Sequence, residues 1–454
     1  MGSRIKLDKE VFVLVTGANS GLGLSICYRL IDEFLGSRPD PYRLTIIFTT
    51  RSTRKGSETL SRLKQHLNAA HRQASGIERV TFESETVDLV DLVSVRALSC
   101  RLVKKLPKLD AIVLNAGIGG WTGLNWPQAI WRILTDLVHE VSWPSYKVGP
   151  VGAVTGKQTS LAEEPRLGMV FSANVFGHYM LTHNVVPLLQ VSGQPNGPGR
   201  IIWVSSLETA LDYFDPEDIQ GLRSETAYET SKTLTDILAL TAGLPSTAPW
   251  VKSFLCTSDF SSSSSVISTM ETKKEGNSPG RNTAKPNIYV THPGVCGTSI
   301  LPLSLPLYYC MIFSLWLARM LGSPWHVLSS YMGACAPAWL ALSYQRIIDN
   351  AEAPYVQHGG RNTKWGSSCD RLGRVRPASS EVDGWGYGGV VGRPVVEEDR
   401  IRRRKRGMTD LTAEKKERFE ELGRRCWREM EELRKEWDRI LDEAETNEPT
   451  TDKQ

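Results

Sequence analysis

Short apolar runs alternate with longer helical patterns between residues 11 and 290 of the chain. Each run is rich in Val, Ile, Leu or Phe and is short enough for a buried strand. The runs are Val11–Val15, Leu44–Phe48, Val80–Val87, Ala111–Leu114, Ile201–Val204 and Asn287–Val290. Between them, apolar residues recur at steps of three and four, which predicts helices. The alternation predicts an α/β fold of Rossmann type with a doubly wound parallel sheet.

Two stretches interrupt this rhythm, and an extension follows it. Residues 121–165 are rich in Trp, Gly and Pro, and we expect an insertion above the carboxyl edge of the sheet. Residues 243–286 contain a serine-dominated part, which is typical of a flexible insertion. We therefore assign residues 1–350 to one catalytic domain with two insertions. Residues 351–408 are predicted to form an irregular, glycine-rich and basic linker, and residues 409–446 a charged C-terminal helix.

The C-terminal helix carries an apolar stripe with steps of three and four residues. Its members are Phe419, Leu422, Cys426, Met430, Leu433, Trp437 and Ile440. The stripe indicates packing against the domain, and binding of a partner helix is the alternative.

Residues 301–321 are strongly apolar. Leu301–Ala318 carries no charge and is interrupted by Pro302 and Pro306. Its length is at the threshold for a membrane span, but the prolines and aromatic residues favour a helix lying in the membrane interface. The alternative is a helix pair that covers the substrate of a soluble enzyme. The basic run Arg400–Arg406 fits anionic lipid headgroups and a solvated linker equally well.

Composition excludes few classes of function. The net charge of +4 is small for 454 residues and does not indicate a nucleic-acid-binding protein. The eight cysteines are scattered without a Cys-x-x-Cys, so we expect no metal site, no dense disulfide framework and thiols that face the cytosol. The polar start Met1–Glu10 predicts no signal peptide, and Lys6 stands where a myristoylation motif needs Ser or Thr.

A glycine-rich turn joins the first predicted strand to the first predicted helix. It consists of Thr16, Gly17, Ala18, Asn19, Ser20, Gly21, Leu22 and Gly23. Gly17 suits a tight turn, while Gly21 and Gly23 would let the backbone approach a pyrophosphate at the helix N-terminus. The alternative is an ordinary glycine-rich turn. The strand–turn–helix context favours dinucleotide binding.

The end of the second predicted strand indicates which dinucleotide binds. An NAD enzyme usually places a carboxylate there to hold the ribose 2′-hydroxyl. This chain has no carboxylate there and instead has Arg51, Arg54 and Lys55. An arginine can hold a 2′-phosphate with two hydrogen bonds, which predicts NADP(H). A solvated basic loop is the alternative.

Tyr228 and Lys232 are four residues apart in a helical pattern, so their side chains share one helix face. A phenol has an ordinary pKa of about 10, and a nearby cation lowers it, which makes tyrosine usable as a general acid. Taken alone, the pair occurs often by chance and is better explained by an exposed tyrosine beside a solvated lysine. Ser206 follows the fifth predicted strand, at the sheet edge where ligands of open α/β sheets bind.

The ordered set of motifs resembles the short-chain dehydrogenase/reductase superfamily over roughly residues 8–300. The motifs are Thr16-Gly-x-x-x-Gly-x-Gly23, Asp88, Asn115-Ala-Gly117, Asn174, Ser206, Tyr228-x-x-x-Lys232 and Pro293-Gly294. The resemblance implies that Tyr228 is the acid–base residue and that Lys232 lowers its pKa and binds the nicotinamide ribose. It also implies that Ser206 binds the substrate oxygen and that Asn174 holds a water in a proton relay.

The resemblance also implies a cofactor site spread over several strand ends. Its residues would be Gly17, Asn19, Ser20, Gly21, Leu22, Gly23, Arg51, Asp88, Asn115, Ala116, Gly117, Tyr228, Lys232, Pro293, Gly294, Val295 and Thr298.

A narrower resemblance lies in the segments 202–208 and 214–220 and in Tyr228-Glu-x-Ser-Lys232. They are similar to the fungal 3-ketosteroid reductases, which implies NADPH-dependent reduction of a 4-methyl 3-ketosterol during sterol C-4 demethylation in ergosterol synthesis. That function implies the cytosolic face of the endoplasmic reticulum or a lipid droplet, a membrane surface as partner and a possible complex of sterol enzymes. The alternatives are a reductase of another terpenoid, retinoid or polyketide ketone, and a reductase-like scaffold subunit.

Overall fold

The computed structural model describes residues 9–70, 77–161, 163–192, 197–256, 284–297, 304–402 and 404–447. The strands are β1 (Glu10–Val15), β2 (Arg43–Thr50), β3 (Val80–Thr86), β4 (Ala111–Leu114), β5 (Gly123–Leu124), β6 (Lys147–Val148), β7 (Arg200–Val204), β8 (Asn287–His292), β9 (Val295–Cys296), β10 (His326–Leu328), β11 (Lys364–Cys369) and β12 (Val375–Ser380).

The helices of the described residues follow the same chain order. They are α1 (Gly21–Ser37), α2 (Thr53–Ala70), α3 (Leu92–Lys105), α4 (Trp126–Thr135), α5 (Leu137–Glu140), α6 (Met169–Phe171), α7 (Gly177–Gln190), α8 (Ala227–Thr241), α9 (Ala248–Phe254), α10 (Leu305–Met320), α11 (Ser330–Gly333), α12 (Cys335–Leu342), α13 (Gln345–Gln357), α14 (Glu397–Ile401) and α15 (Ala413–Asn447). A π-helical turn, Ser172–Phe176, joins α6 to α7.

Eight strands form the central sheet in the order β12-β11-β8-β7-β4-β1-β2-β3. All neighbours are parallel except β11 and β12. Alternate residues of a central strand enter different apolar clusters, as the period of two requires. Ile112 packs with α3, α7 and α8, and Val113 packs with α1 and α12. All six predicted strands are present, and the predicted α/β fold with a doubly wound, mostly parallel sheet is confirmed.

The prediction of an irregular linker over 351–408 is wrong for its central part. β11 and β12 lie there and extend the sheet, because β11 pairs with β8 in parallel and with β12 in antiparallel. Every residue of β11 is buried, although its sequence, Lys-Trp-Gly-Ser-Ser-Cys, is mostly polar. A polar strand shows no apolar run, so periodicity alone does not detect it. The segment between α10 and β11 contains β10, α11, α12 and α13.

The C-terminal helix α15 is part of the main core. Phe419, Cys426, Trp427, Met430 and Trp437 are buried in the same apolar cluster as the inner face of α8. The Trp427 indole nitrogen also donates to the carbonyl oxygen of Leu238 at 3.0 Å. The stripe therefore packs against the domain, and it is not available to a partner helix.

The first insertion contains α4, α5 and the small antiparallel ribbon of β5 and β6. α5 packs against α10 in a separate apolar cluster that includes Val138, Val141, Leu315 and Ala318. The serine-rich part of the second insertion lies outside the described residues, while α9 is in its described part. Within the described chain, none of the helices is both long enough and apolar enough to cross a bilayer.

Candidate active site and cofactor cradle

The glycine turn after β1 is packed too closely for side chains. A Cβ on Gly23 would lie 2.2 Å from the carbonyl oxygen of Gly17, and a Cβ on Gly17 would lie 2.8 Å from the Cβ of Ala116. Gly17 and Gly21 also have positive φ angles of 68° and 54°, which favour glycine. Ser20 is the N-cap of α1 but makes no capping hydrogen bond through its side chain. The first N–H groups of α1 are thus left for a phosphate, which fits a dinucleotide.

The loop after β4 lies against this turn. The Thr16 hydroxyl accepts hydrogen bonds from the backbone N–H groups of Asn115 and Ala116 at 2.9 and 3.0 Å. The Asn115 amide donates to the Thr16 carbonyl oxygen at 3.0 Å. A Cβ on Gly117 would lie 2.8 Å from the Asn174 amide oxygen. These predicted cofactor residues therefore lie together at the carboxyl edge of the sheet.

Asn174 lies in the π-helical turn, a kind of local irregularity that is frequent at functional sites. Its amide accepts from the N–H of Ile118 at 2.8 Å and donates to Ser231 at 3.0 Å. Buried His178 bonds both the Thr16 hydroxyl at 2.9 Å and the Asn174 carbonyl oxygen at 3.2 Å. Burial lowers the pKa of His178 to about 3, so its imidazole is neutral. The water-holding role of Asn174 stays a prediction.

Arg51, Asp88 and the Pro293–Gly294–Val295 loop follow β2, β3 and β8 at the same edge. Arg51 is exposed, and Asp88 accepts from the N–H of Val90 at 3.3 Å. Gly294 has a φ of 69°, and a Cβ there would lie 2.5 Å from the Trp325 carbonyl oxygen. Thr298, also predicted to bind the cofactor, lies outside the described residues.

Tyr228 and Lys232 lie on the first turns of α8, and Ser206 follows the end of β7. The Lys232 ammonium is 5.8 Å from the centre of the Tyr228 ring and donates to the Val204 carbonyl oxygen at 2.8 Å. The structure therefore places the predicted tyrosine, lysine and serine at one site, and Asn174 is joined to α8 through Ser231.

The charges around Tyr228 differ from those expected. Burial, followed by the charge of Glu208, raises the pKa of Tyr228, and a hydrogen bond with Ser206 acts in the opposite direction. Burial lowers the pKa of Lys232 to about 8. Burial and two nearby carboxylates therefore raise the pKa of Tyr228 in this arrangement, and the pKa-lowering role of Lys232 stays a prediction. A raised pKa keeps the phenol protonated, which is the form that a general acid needs.

A cavity of about 120 Å³ opens beside Tyr228. The first insertion contributes Trp121, Gly149 and Pro150 to its wall, and Met169 and Val170 come from α6. Its lining is mainly apolar and includes the phenol of Tyr228. The first insertion thus lines this cavity, whereas α10 contributes no residue to its wall.

Sequence motifs did not reveal two buried lysines near the site. The Lys364 ammonium, from β11, donates to the Ser206 carbonyl oxygen at 2.7 Å and to Asp236 of α8 at 2.5 Å. Lys147, from β6, contacts Glu208 and Glu229. Both lysines belong to segments outside the motif set, so no local spacing marks them. Glu229, inside the Tyr-Glu-x-Ser-Lys motif, was the sequence feature that could have indicated a nearby cation.

The basic run after α14 is mostly engaged in ion pairs. Arg402 pairs with Asp399 at 2.9 Å, and Arg404 pairs with Glu381 and with Asp410. These pairs join the run to α14 and to the loops around it. The paired arginines do not form the solvated linker that was one interpretation of the run, and binding of lipid headgroups stays a prediction.

An acid–base tyrosine paired with a lysine, beside a glycine cradle on a parallel sheet, defines an oxidoreductase of the short-chain dehydrogenase/reductase class. No family model matches the chain. A 3-keto-steroid reductase of Aspergillus fumigatus is 62% identical to it, over 98% of this chain and 97% of that protein. One from Gibberella zeae is 37% identical over 96% of both chains. One from Candida albicans is 30% identical over 85% of this chain and 92% of its own. The chain therefore belongs to the 3-keto-steroid reductases.

Solved structures are more distant. A 3-oxoacyl-[acyl-carrier protein] reductase from Brucella melitensis, in complex with NAD, is 14% identical with a TM-score of 0.40, over 73% of this chain and 89% of that one. Menthone neomenthol reductase from Mentha piperita is 20% identical with a TM-score of 0.33, over 51% and 85%. The family assignment rests on the sequence relatives.

Proposed function

We propose that this protein reduces the 3-keto group of a 4-methyl sterol intermediate to the 3-hydroxyl with NADPH, during sterol C-4 demethylation in ergosterol synthesis. The observation that carries the proposal is a protonated Tyr228, hydrogen-bonded to Ser206, in the wall of a mainly apolar cavity. A sterol ketone has the same character, an apolar body with one polar end. The 62% identity to a 3-keto-steroid reductase supports the substrate class.

When bound, NADPH supplies the hydride that reduces the ketone carbon. Negative charge then develops on the ketone oxygen, where Ser206 and Tyr228 supply hydrogen bonds. Tyr228 donates its phenolic proton to that oxygen, and Lys232 stabilises the phenolate that remains. General acid catalysis of this kind contributes about 10²–10⁴-fold.

The first experiment follows NADPH oxidation by absorbance with a detergent-solubilised 4-methyl-3-ketosterol. We expect turnover by the wild type and loss of about 10²-fold or more in Tyr228→Phe, with NADPH binding retained. Tyr344→Phe, far from the cavity lining and half exposed, is a matched control that should keep full turnover. A folded, NADPH-binding wild type that reduces other ketones but not this one would overturn the substrate assignment.

The preference for NADPH over NADH is supported by the cations after β2. Arg51 is exposed and has no ion-pair partner among the residues described, whereas its neighbour Arg54 pairs with Glu58 at 2.6 Å. We expect Arg51→Ala to weaken NADPH binding about tenfold while leaving NADH binding unchanged, since a charged hydrogen bond contributes about 1.5–3 kcal/mol. Arg54→Ala is the control. Equal losses for both cofactors in Arg51→Ala would contradict the assignment.

Attachment to a membrane surface is the second part of the proposal. One face of α10 exposes Leu305, Tyr309, Phe313, Trp316 and Met320 at steps of three and four residues, while the opposite face packs on α5. On α4, the exposed side chains include Ile130, Trp131 and Leu134. Two neighbouring helices thus expose large apolar side chains, which suits insertion into a lipid interface.

Vesicle co-sedimentation tests this attachment. We expect Phe313→Glu combined with Trp316→Glu to abolish binding to phosphatidylcholine–phosphatidylserine vesicles, because carboxylates do not enter the apolar interface. Leu372→Glu, at an exposed leucine between β11 and β12, is the control. Undiminished binding by the double variant would exclude this face.

We further propose the cytosolic face of the endoplasmic reticulum or the lipid droplet as the location. There the enzyme would meet its membrane-dissolved substrate and the other enzymes of sterol C-4 demethylation. A complex with those enzymes would need a surface other than the stripe of α15, because that stripe is buried. Fluorescence microscopy of the tagged wild type and the α10 double variant tests the location.

A further inference from the structure

A second lysine lies beside the catalytic tyrosine. Lys147 belongs to the first insertion, and only 4% of its side chain is exposed. Its ammonium is 2.5 Å from a carboxylate oxygen of Glu229 and also contacts the carboxylate of Glu208. Glu229 follows Tyr228 directly, and Glu208 is two residues after Ser206. One buried cation therefore joins the insertion to both segments that carry the acid–base chemistry.

The same ammonium lies near two aromatic rings of the cavity wall. It is 4.3 Å from the centre of the Trp121 ring and 5.4 Å from the centre of the Tyr228 ring. The two rings contact each other edge to face, with centres 4.7 Å apart. Lys147 is thus at about the same distance from the phenol ring as Lys232, whose ammonium is 5.8 Å away. Distances of this size give substantial electrostatic interactions in a buried site.

Lys147 pairs with both of the carboxylates that act on Tyr228. Glu208 and Glu229 both raise the pKa of Tyr228. Burial works against the charged form of Lys147, but the two carboxylates outweigh it and raise its pKa, so it stays an ammonium. The ionisable groups around this cluster include Lys147, Lys232, Glu208, Glu229, Cys296, Lys405, Tyr213 and Tyr146, with Asp236 and Lys364 beside Lys232. Without Lys147, two buried carboxylates would face the phenol with one cation fewer.

We propose that Lys147 is a positioning residue for the ketone reduction, which holds the Ser206 loop and the Tyr228 helix together and offsets the charge of Glu208 and Glu229 beside the phenol. This inference rests on the proposed function for its reaction. Lys147 acts through its two carboxylate partners and the aromatic rings. It lets negative charge develop on the substrate oxygen and on Tyr228 without opposition from two unpaired carboxylates.

The proposed role of Lys147 predicts the direction in which the pKa of Tyr228 changes in each variant. Lys147→Met removes a cation near the phenol, so the pKa of Tyr228 rises further. The reverse reaction, oxidation of a sterol alcohol by NADP⁺, needs the phenolate as base. Its rate rises with pH, and the inflection should move upward by about one pH unit in Lys147→Met. At neutral pH the oxidation should then slow by about tenfold. Glu208→Gln should move the inflection in the opposite direction, because it removes a carboxylate.

The experiment compares the wild type, Lys147→Met, Lys147→Arg and Glu208→Gln in kcat, KM and the pH profile of the oxidation. Lys157→Met is the control, because Lys157 is an exposed lysine of the same insertion. We expect Lys147→Met to lower kcat with KM for NADP⁺ within about twofold, and Lys147→Arg to retain most of kcat. The triple variant Lys147→Met, Glu208→Gln, Glu229→Gln should return the inflection towards its wild-type pH. A merely structural role would give no opposite shifts in the single variants.

A readout without sterol separates this inference from the proposed function. The tyrosinate absorbance of the NADP⁺ complex, taken as the difference from Tyr228→Phe, gives the titration of Tyr228 directly. We expect its midpoint to be higher in Lys147→Met and lower in Glu208→Gln than in the wild type. Unchanged midpoints in folded, NADP⁺-binding variants would overturn the role of Lys147. A wild type that fails on ketosterols, with shifted midpoints in the variants, would overturn the substrate class alone.

Discussion

The cofactor edge and the catalytic edge of the sheet are built differently. At the cofactor edge, motif residues contact other motif residues: Gly17 lies against Gly23 and Ala116, and Thr16 bonds the backbone after β4. At the catalytic edge, motif residues are held by residues that no motif includes. Lys147 comes from the first insertion and Lys364 from β11. Both lie against the elements that carry Ser206 and Tyr228.

The two edges differ because binding a cofactor and acid–base catalysis have different structural requirements. A pyrophosphate cradle needs backbone and little side-chain volume, so a short glycine pattern is sufficient. A buried acid–base group needs its charges balanced, and balancing charges come from wherever the fold brings them. In this chain they come from the first insertion and from β11. We therefore expect the effects of substitutions at the catalytic edge to extend through long-range contacts. The effects of substitutions at the cofactor edge should remain local.

The largest expected effect is at Lys364, whose side chain and that of Asp236 are each 1% exposed. Lys364→Met leaves the Asp236 carboxylate buried without its cation and should lower the free energy of unfolding by about 3–5 kcal/mol. It should also lower kcat, because Lys364 bonds the Ser206 backbone. Urea unfolding and turnover are the measurements. The double variant Lys364→Met, Asp236→Leu should recover most of the stability, and a single variant as stable as the wild type would contradict this view of the catalytic edge.

Gly23→Ala should have an intermediate effect that is confined to the cofactor edge. The new Cβ would lie 2.2 Å from the Gly17 carbonyl oxygen, which is backbone and cannot move aside cheaply. Overpacking of this kind costs about 1–3 kcal/mol, so NADPH affinity should fall by about tenfold or more. Gly36→Ala, in the same helix with no atom within 4 Å of its new Cβ, is the control and should be neutral or slightly stabilising. Fluorescence titration with NADPH gives the comparison, and equal affinities in the two variants would refute it.

The smallest expected effect is at Glu352 of α13, beside the Trp365 indole of β11. Burial raises the pKa of Glu352 to about 7, so the folded state binds more protons than the unfolded state between about pH 4.5 and 7. Stability from this group is present at low pH and is lost as pH rises through that window. Glu352→Gln should reduce the change in the free energy of unfolding over this pH window by about 1–2 kcal/mol. The measurement is the free energy of unfolding at pH 5 and at pH 7.5, with Glu414→Gln at an exposed glutamate as the control. A Glu352→Gln variant with the same pH dependence as the wild type would exclude the effect.

Sequence patterns predicted much of the fold and of the site. Apolar runs such as Val11–Val15 predicted six strands, and the stripe on α15 indicated packing that the structure confirms. The ordered motifs predicted which strand ends carry Ser206 and which helix carries Tyr228. β11 was missed, because its polar residues are buried by neighbours distant in the chain rather than by a pattern of their own.

The sequence by itself determined the parallel sheet, the glycine cradle and the chemical groups of the acid–base pair, because each depends on local spacing and backbone freedom. Only the tertiary structure decided the charge balance around Tyr228 and the walls of its cavity. Burial and the distances among Lys147, Glu208 and Glu229 arise when the insertion packs against the sheet edge. Electrostatic energies in a buried site depend on those distances and on the exclusion of water, neither of which is local in the chain.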